Sequence, residues 1–186
     1  MGIFDGALEF AKRAHGKQVR KYTHDPYWVH LVEVAQFCQS VGESDDVVNA
    51  AYLHDTIEDT PTKYAHIAAE FGERVAHLVM QVTDVSRPEI GNRALRKAVD
   101  RQYLAGASDD AKSIKLADMI SNTKSVVEGD IGFAKIYLPE KRLLLRVLGG
   151  GNRTLMNLAS ETLLKAEIAL AEAFDTPPYA IERNDG

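Results

Sequence analysis

AAYLHDTIEDT, residues 50–60, sets a histidine and three carboxylates within six positions of an otherwise apolar, helix-forming stretch. Residues three and four apart on a helix share a face. Glu58 therefore falls one turn from His54 and Asp55, and Asp59 one turn from Asp55. Ala50, Ala51, Leu53 and Ile57 supply the packing surface beside them. Four ionisable groups in or near a core cost several kcal/mol unless something positive balances them. The stretch carries no Lys or Arg, so either arginines from elsewhere or a metal ion must do so.

Helical periodicity continues on both sides of this segment. FDGALEFAKRAHG follows an Asp5 cap and ends near Gly16. Pro26 opens a helix over 26–41, and Asp45 or Asp46 caps a third that runs through the quoted stretch to about Asp59. TPTKYAHIAAEFG and ERVAHLVMQVTDV give two more helices and SRPEIGN a loop. RALRKAVDRQYLAGA and DDAKSIKLADMISNTKSVVEG follow as another two. The segment GDIGFAKIYLPEKRLLLRVLGGG is interrupted by Pro139, and a long helix over 152–174 precedes a polar tail. No alternating strand, repeat or low-complexity tract intervenes. The expected class is all-α with non-bundle packing: one domain over 1–174 and a loosely held tail at 175–186.

At 186 residues, 45% hydrophobic and 26% charged, the chain suits one globular domain with a sizeable core. No apolar run approaches the length that spans a bilayer. The N-terminus lacks the basic-then-apolar order of a signal peptide, and Gly6 stands where a myristoylation motif needs a hydroxyl residue. The single cysteine, Cys38, excludes an internal disulfide and suits a reducing compartment. A net charge of −5 argues against nucleic acid as the partner. The expectation is a cytoplasmic protein with no membrane contact, with a homo-oligomer left open. Residues 12–21, KRAHGKQVRK, hold five basic residues and no acid. They read as a solvated helix end or as a patch for a small anionic ligand.

Two further segments bear on the charge problem. His30 follows YWV in the second helix, flanked by core-type residues, and Asp118 lies in the apolar run IKLADMISN. Each alone would read as a satisfied core histidine or an ion-paired acid. With His54 and Asp55 they make two imidazoles and two carboxylates from three helices. That set suits a divalent ion with positions open to water and substrate.

The order His…His-Asp…Asp resembles the signature of the HD-domain phosphohydrolases, an all-helical superfamily. More closely, AHGKQVRKYTHDPYWVH, AAYLHDTIEDT, FGERVAHLVMQVTD and IKLADMISN are similar in order and spacing to the hydrolase domain of RelA/SpoT homologues. Without a synthetase or regulatory region, the chain looks like a stand-alone small alarmone hydrolase of the metazoan SpoT-like type. The resemblance implies that His30, His54, Asp55 and Asp118 hold a metal, usually Mn²⁺, although another divalent ion would suit the donors. It implies that Glu58 and Asp59 position and activate water. Arg20 and Lys21 would meet the base and phosphates of a nucleotide, and Asn122 the ribose. Arg93, with Lys141 as a second candidate, would reach the phosphate end. Leu31 replaces a common proline, and Thr123-Lys124 replace the usual Leu-Arg, which would alter the wall near the sugar.

The implied reaction is hydrolysis of the 3′-diphosphate of guanosine 3′,5′-bis(diphosphate), releasing pyrophosphate. An alternative is a phosphatase acting on another 2′- or 3′-phosphorylated nucleotide such as NADPH; a third reading is a non-catalytic binding regulator. His15, His24, His66 and His77 have no matched partners and read as surface or packing residues. Cys38 reads as a small core residue, and the glycines at 149–151 as a helix-ending hinge.

Overall fold

A computed structural model of the chain describes residues 5–175. Among these described residues eleven α-helices follow one another: α1 Asp5–His15, α2 Trp28–Ser40, α3 Asp45–Leu53, α4 Thr56–Asp59, α5 Tyr64–Phe71, α6 Glu73–Val82, α7 Arg93–Ala105, α8 Asp109–Thr123, α9 Val126–Gly129, α10 Ile131–Leu145 and α11 Arg153–Asp175. Among the described residues the only β-type pairing is an isolated Val19–Pro26 bridge. The all-α expectation holds. The expected tail lies outside the described residues, apart from Asp175 at the end of α11.

α8 is the axis of the fold. Its sequence is apolar on nearly every side, and Ile114, Leu116, Ala117, Met119 and Ile120 are all fully buried. A helix apolar all round must be surrounded, and α2, α3, α6 and α11 pack around α8. Gly151 permits the close return of α11, because a Cβ there would lie 2.8 Å from Leu116 Cδ1. Cys38 in α2 has no exposed surface, as a small core residue should.

Several boundaries differ from the periodicity, each for a local reason. Ser44, with extended backbone, takes the N-cap position of α3, and Asp45 and Asp46 fall in its first turn. Pro26 lies outside α2 because residues 18–27 form a pinned loop. Tyr27 N–H bonds Gln18 O and Arg20 N–H bonds Asp25 O, with His24 in the left-handed region at φ 59°. Pro139 does not interrupt α10. Burial of Ala134, Tyr137 and Leu138 outweighs its missing N–H, a loss of about 3 kcal/mol. Past Thr123 the chain leaves α8 and turns so that Val126, at the start of α9, enters the core.

The expected third helix is broken at its centre. α3 stops at Leu53, and α4 resumes at Thr56. Two side chains at the break capture carbonyls of the preceding turn: His54 Nδ1 bonds Ala51 O at 2.8 Å, and Thr56 Oγ1, at the start of α4, bonds Leu53 O at 2.6 Å. Side chains that satisfy backbone groups locally compete with the helix. The break presents His54 and Asp55 together toward α2 and α8. Thr56→Val should lower the urea-unfolding free energy by about 1–2 kcal/mol, because Leu53 O then loses a buried partner. An unchanged urea midpoint would show that the hydroxyl does not hold the break.

Candidate active site

Three helical segments bring four side chains to one point: His30 from α2, His54 and Asp55 from the α3–α4 break, and Asp118 from α8. His30 Nε2 lies 3.3 Å from Asp118 Oδ1 and 3.6 Å from Asp55 Oδ2. His54 Nε2 lies 3.0 Å from Asp55 Oδ2 and 3.7 Å from Asp118 Oδ1. The imidazole rings meet edge-on with centroids 5.2 Å apart. Each histidine is only 1% exposed.

The ring nitrogens show what the site fits. Both Nδ1 atoms are anchored, His30 on Ser121 Oγ at 2.9 Å and His54 on Ala51 O. Both Nε2 atoms are buried and aligned with no hydrogen-bond partner, although carboxylate oxygens stand close enough to act on them by charge. Buried polar atoms are rarely left so. Two orphaned nitrogens facing two carboxylates, with the opposite nitrogens tethered, form a donor set for a divalent cation. His30, His54 and Asp55 offer ligand atoms within 4.8 Å of one another, and Asp118 closes the group from α8.

The sequence reading did not find Lys115. It lies three residues before Asp118, its side chain is 13% exposed, and Nζ stands 3.1 Å from Asp118 Oδ2. Asp118 therefore faces the imidazoles with one oxygen and a lysine with the other. Burial alone would raise Asp118; Lys115 first, then the imidazoles, hold it well below the usual carboxylate range. Asp55 is held down likewise, against burial, chiefly by His54. Burial disfavours a charged His54, but Asp55 and Asp118 prevail and carry it up to about 10. The centre is a well of negative potential that holds a proton when no metal is there.

The acidic pair sits at the rim. Glu58 Oε2 accepts from Asp84 N–H at 3.1 Å; burial, then the Asp84 charge, raise its proton affinity. Asp59 is raised by burial and then by Asp55. Both residues keep solvent contact, so the push is partial. Tyr27 donates its hydroxyl to Asp55 Oδ2 at 2.6 Å. His15, expected at the surface or in packing, is 5% exposed and stacks on Tyr27 with centroids 4.7 Å apart. Its Nδ1 bonds Gln18 Oε1 at 2.7 Å, and Gln18 in turn donates to Asp59 O. The basic run's helical register turns His15 inward, but its meeting with Gln18 and Tyr27 depends on the folded loop at 18–27.

A family described as the HD domain matches residues 7–130. The chain belongs to the HD-domain family. It is similar to a guanosine-3′,5′-bis(diphosphate) 3′-pyrophosphohydrolase of Aquifex aeolicus, 39% identical over 64% of this chain and 17% of that protein. It thus spans about a sixth of the length of that relative. It is also similar to the MESH1 guanosine-3′,5′-bis(diphosphate) 3′-pyrophosphohydrolase of Xenopus tropicalis, 36% identical over 64% of this chain and 67% of that one. A solved metazoan orthologue of SpoT, described as hydrolysing ppGpp and playing a role in starvation responses, superposes with a TM-score of 0.79. That match has 26% identity and covers 89% of this chain and 96% of the other.

Two cavities flank the centre of this HD domain. One, of about 230 Å³, is lined by Arg20, Lys21, Tyr27, His30, Asn122 and Phe133, so three expected nucleotide contacts share a wall with a candidate ligand. Asn122 Nδ2 also donates to Asp118 Oδ1 at 2.6 Å. The other, of about 500 Å³, has Glu58, Ser86, Arg93, Arg96 and Lys97 in its wall. Arg93 is there as expected, but it is clamped by Glu140 and rests 5.2 Å from the Phe133 ring centroid. Lys97, which pairs with Asp84 at 2.5 Å, is a cation that the sequence reading missed. Lys141 lies behind this wall with Lys115, and burial lowers its pKa to about 8. Thr123 and Lys124 do not line the nucleotide-side cavity as expected. Thr123 contacts Tyr137 inside the core, and Lys124 lies over Phe37.

These charges predict a pH dependence. His54 binds its proton more tightly folded than unfolded, so its stabilisation is complete below about pH 6.5 and is lost as pH rises toward about 10. Lys141 acts oppositely: from about pH 8 up to its ordinary 10.5, rising pH restores stability. In chelator, the urea-unfolding free energy should fall between pH 6.5 and 8, by about 2 kcal/mol through His54. His30, which burial would lower but Asp118 and Asp55 raise, adds to the fall; above pH 8 Lys141 opposes it. Lys141→Met should let the fall continue, and excess Mn²⁺ should abolish it. A flat profile from pH 6.5 to 8 in chelator would contradict this electrostatic account.

Proposed function

We propose that this chain is a Mn²⁺-dependent hydrolase of guanosine 3′,5′-bis(diphosphate), acting in the cytoplasm on the 3′-diphosphate and releasing pyrophosphate. The observation that carries this reading is the pair of orphaned, buried Nε2 atoms beside two ionised aspartates, at the edge of a cavity lined by Arg20, Lys21 and Asn122. The named activities of the Aquifex and Xenopus relatives support the same substrate. The ground for the NADPH alternative was a changed sugar wall at Thr123-Lys124, and those residues face elsewhere.

His30, His54, Asp55 and Asp118 would hold the ion, which when bound supplies positive charge to a phosphate oxygen and acidifies water. The chain's own groups do the rest. Arg20 presents a planar guanidinium to the base, and Lys21 a compact charge to a phosphate. Asn122, fixed by Asp118, faces the cavity where the ribose would lie. Water attacks the phosphorus attached to the 3′ oxygen, a new P–O bond forms, and the 3′ O–P bond breaks. Glu58, whose raised proton affinity suits a base, takes the water's proton and can return it to the departing 3′ oxygen. Asp59, held through its carbonyl by Gln18, orients the water. Lys115 keeps Asp118 ionised throughout.

Purified protein with Mn²⁺ and guanosine 3′,5′-bis(diphosphate) should release pyrophosphate, not inorganic phosphate, and chelation should stop it. Glu58→Gln with Asp59→Asn should keep the metal and lose roughly 10²–10⁴-fold in kcat. No pyrophosphate from metal-loaded protein would defeat the proposal, and an unchanged rate in the double variant would reassign the acids.

A further inference from the structure

The two imidazoles are tethered in different ways. His54 Nδ1 leans on a main-chain carbonyl, whereas His30 Nδ1 leans on the hydroxyl of Ser121, a residue fully buried on α8. That hydroxyl also lies 2.5 Å from Glu33 Oε2. The same Oε2 accepts from Arg20 Nη1 at 3.1 Å, and Arg20 Nη2 donates to Ser121 O at 3.2 Å. Glu33 is one helical turn after His30 and Ser121 one turn after Asp118, so the α2–α8 contact that builds the centre builds this chain of bonds too.

Hydrogen-bond direction follows from the donor inventory. An ionised carboxylate only accepts, so Ser121 Oγ–H donates to Glu33. Its lone pair then faces His30 Nδ1, which must carry the proton. In the neutral ring that ligates a metal, Nε2 is therefore the bare nitrogen, and it is the one turned toward Asp55 and Asp118. A carboxylate behind a ligating imidazole raises its basicity and fixes its ring; here a serine hydroxyl stands between the two.

We propose that Glu33 and Ser121 are positioning residues that fix the tautomer of His30 and connect it to Arg20, so that the state of the nucleotide-facing arginine tunes metal affinity. The proposal rests on the reading of His30 as a metal ligand. Arg20 draws charge from Glu33; when a ligand engages Arg20, Glu33 pulls harder on Ser121 and His30 becomes the better donor. Coupling of this kind is reciprocal, so a bound ion also favours an engaged Arg20.

The test is Co²⁺ affinity, measured by competition with a chromophoric chelator on the full chain, with circular dichroism and urea unfolding as checks on the fold. Ser121→Ala and Glu33→Gln should each weaken Co²⁺ about 10-fold or more, and the double variant should be no weaker than Ser121→Ala alone. Arg20→Gln should tighten Co²⁺ several-fold in the native background and have no effect beside Glu33→Gln; simple loss of a nearby positive charge would act in both. Additive losses, an Arg20→Gln effect that survives in Glu33→Gln, or native affinity in folded Ser121→Ala would each overturn the relay. Failure of the unaltered protein to bind Co²⁺ would instead overturn the metal reading beneath it.

Discussion

The structure depends on keeping two aspartates ionised in a nearly dry interior. Asp118 and Asp55 are driven toward protonation by burial, and Lys115 and the imidazoles are the main groups that reverse that drive. Each compensating group arrives from a different element. The helix break delivers His54 and Asp55, α2 delivers His30, and α8 delivers both Asp118 and Lys115. An arrangement that strands an unpaired buried charge costs several kcal/mol, so the packing of these helices and the assembly of the centre are one requirement.

Much of this was legible in the chain, and the limits have physical causes. The four candidate ligands stood out because each is an ionisable residue in an apolar helical run, where only a partner makes it tolerable. Lys115 occupies the same kind of run, three residues before Asp118, and could have been paired with it by helical spacing alone. The helix break was not legible, because periodicity registers apolar faces and not side chains that capture backbone carbonyls, as His54 and Thr56 do. Pro139 was misread because propensity is local, whereas its helix is held by tertiary burial. His15, Gln18 and Tyr27 needed the loop at 18–27 to be seen folded back on itself, which no single-helix pattern encodes.

The rim is organised by residues that never reach the centre. Asp100 accepts from Val85 N–H, Ser86 N–H and Ser86 Oγ–H, fixing the segment that carries Asp84. Asp84 in turn offers its N–H to Glu58 and its carboxylate to Lys97. On the other side Phe133 lies between Lys21 and Arg93, with ring centroids 5.1 and 5.2 Å from the two cations. Phe133, in the wall of the Arg20-side cavity, thus packs between Lys21 of that cavity and Arg93 of the other.

Cys38 has a practical corollary. Its thiol is fully enclosed on α2, and burial pushes it up to about 12, so at neutral pH it is neither reachable nor a thiolate. As the chain's sole sulfhydryl, it offers thiophilic ions no second address, and alkylating reagents gain access only when the interior opens. Its labelling rate is a native clock for global opening, free of any introduced probe.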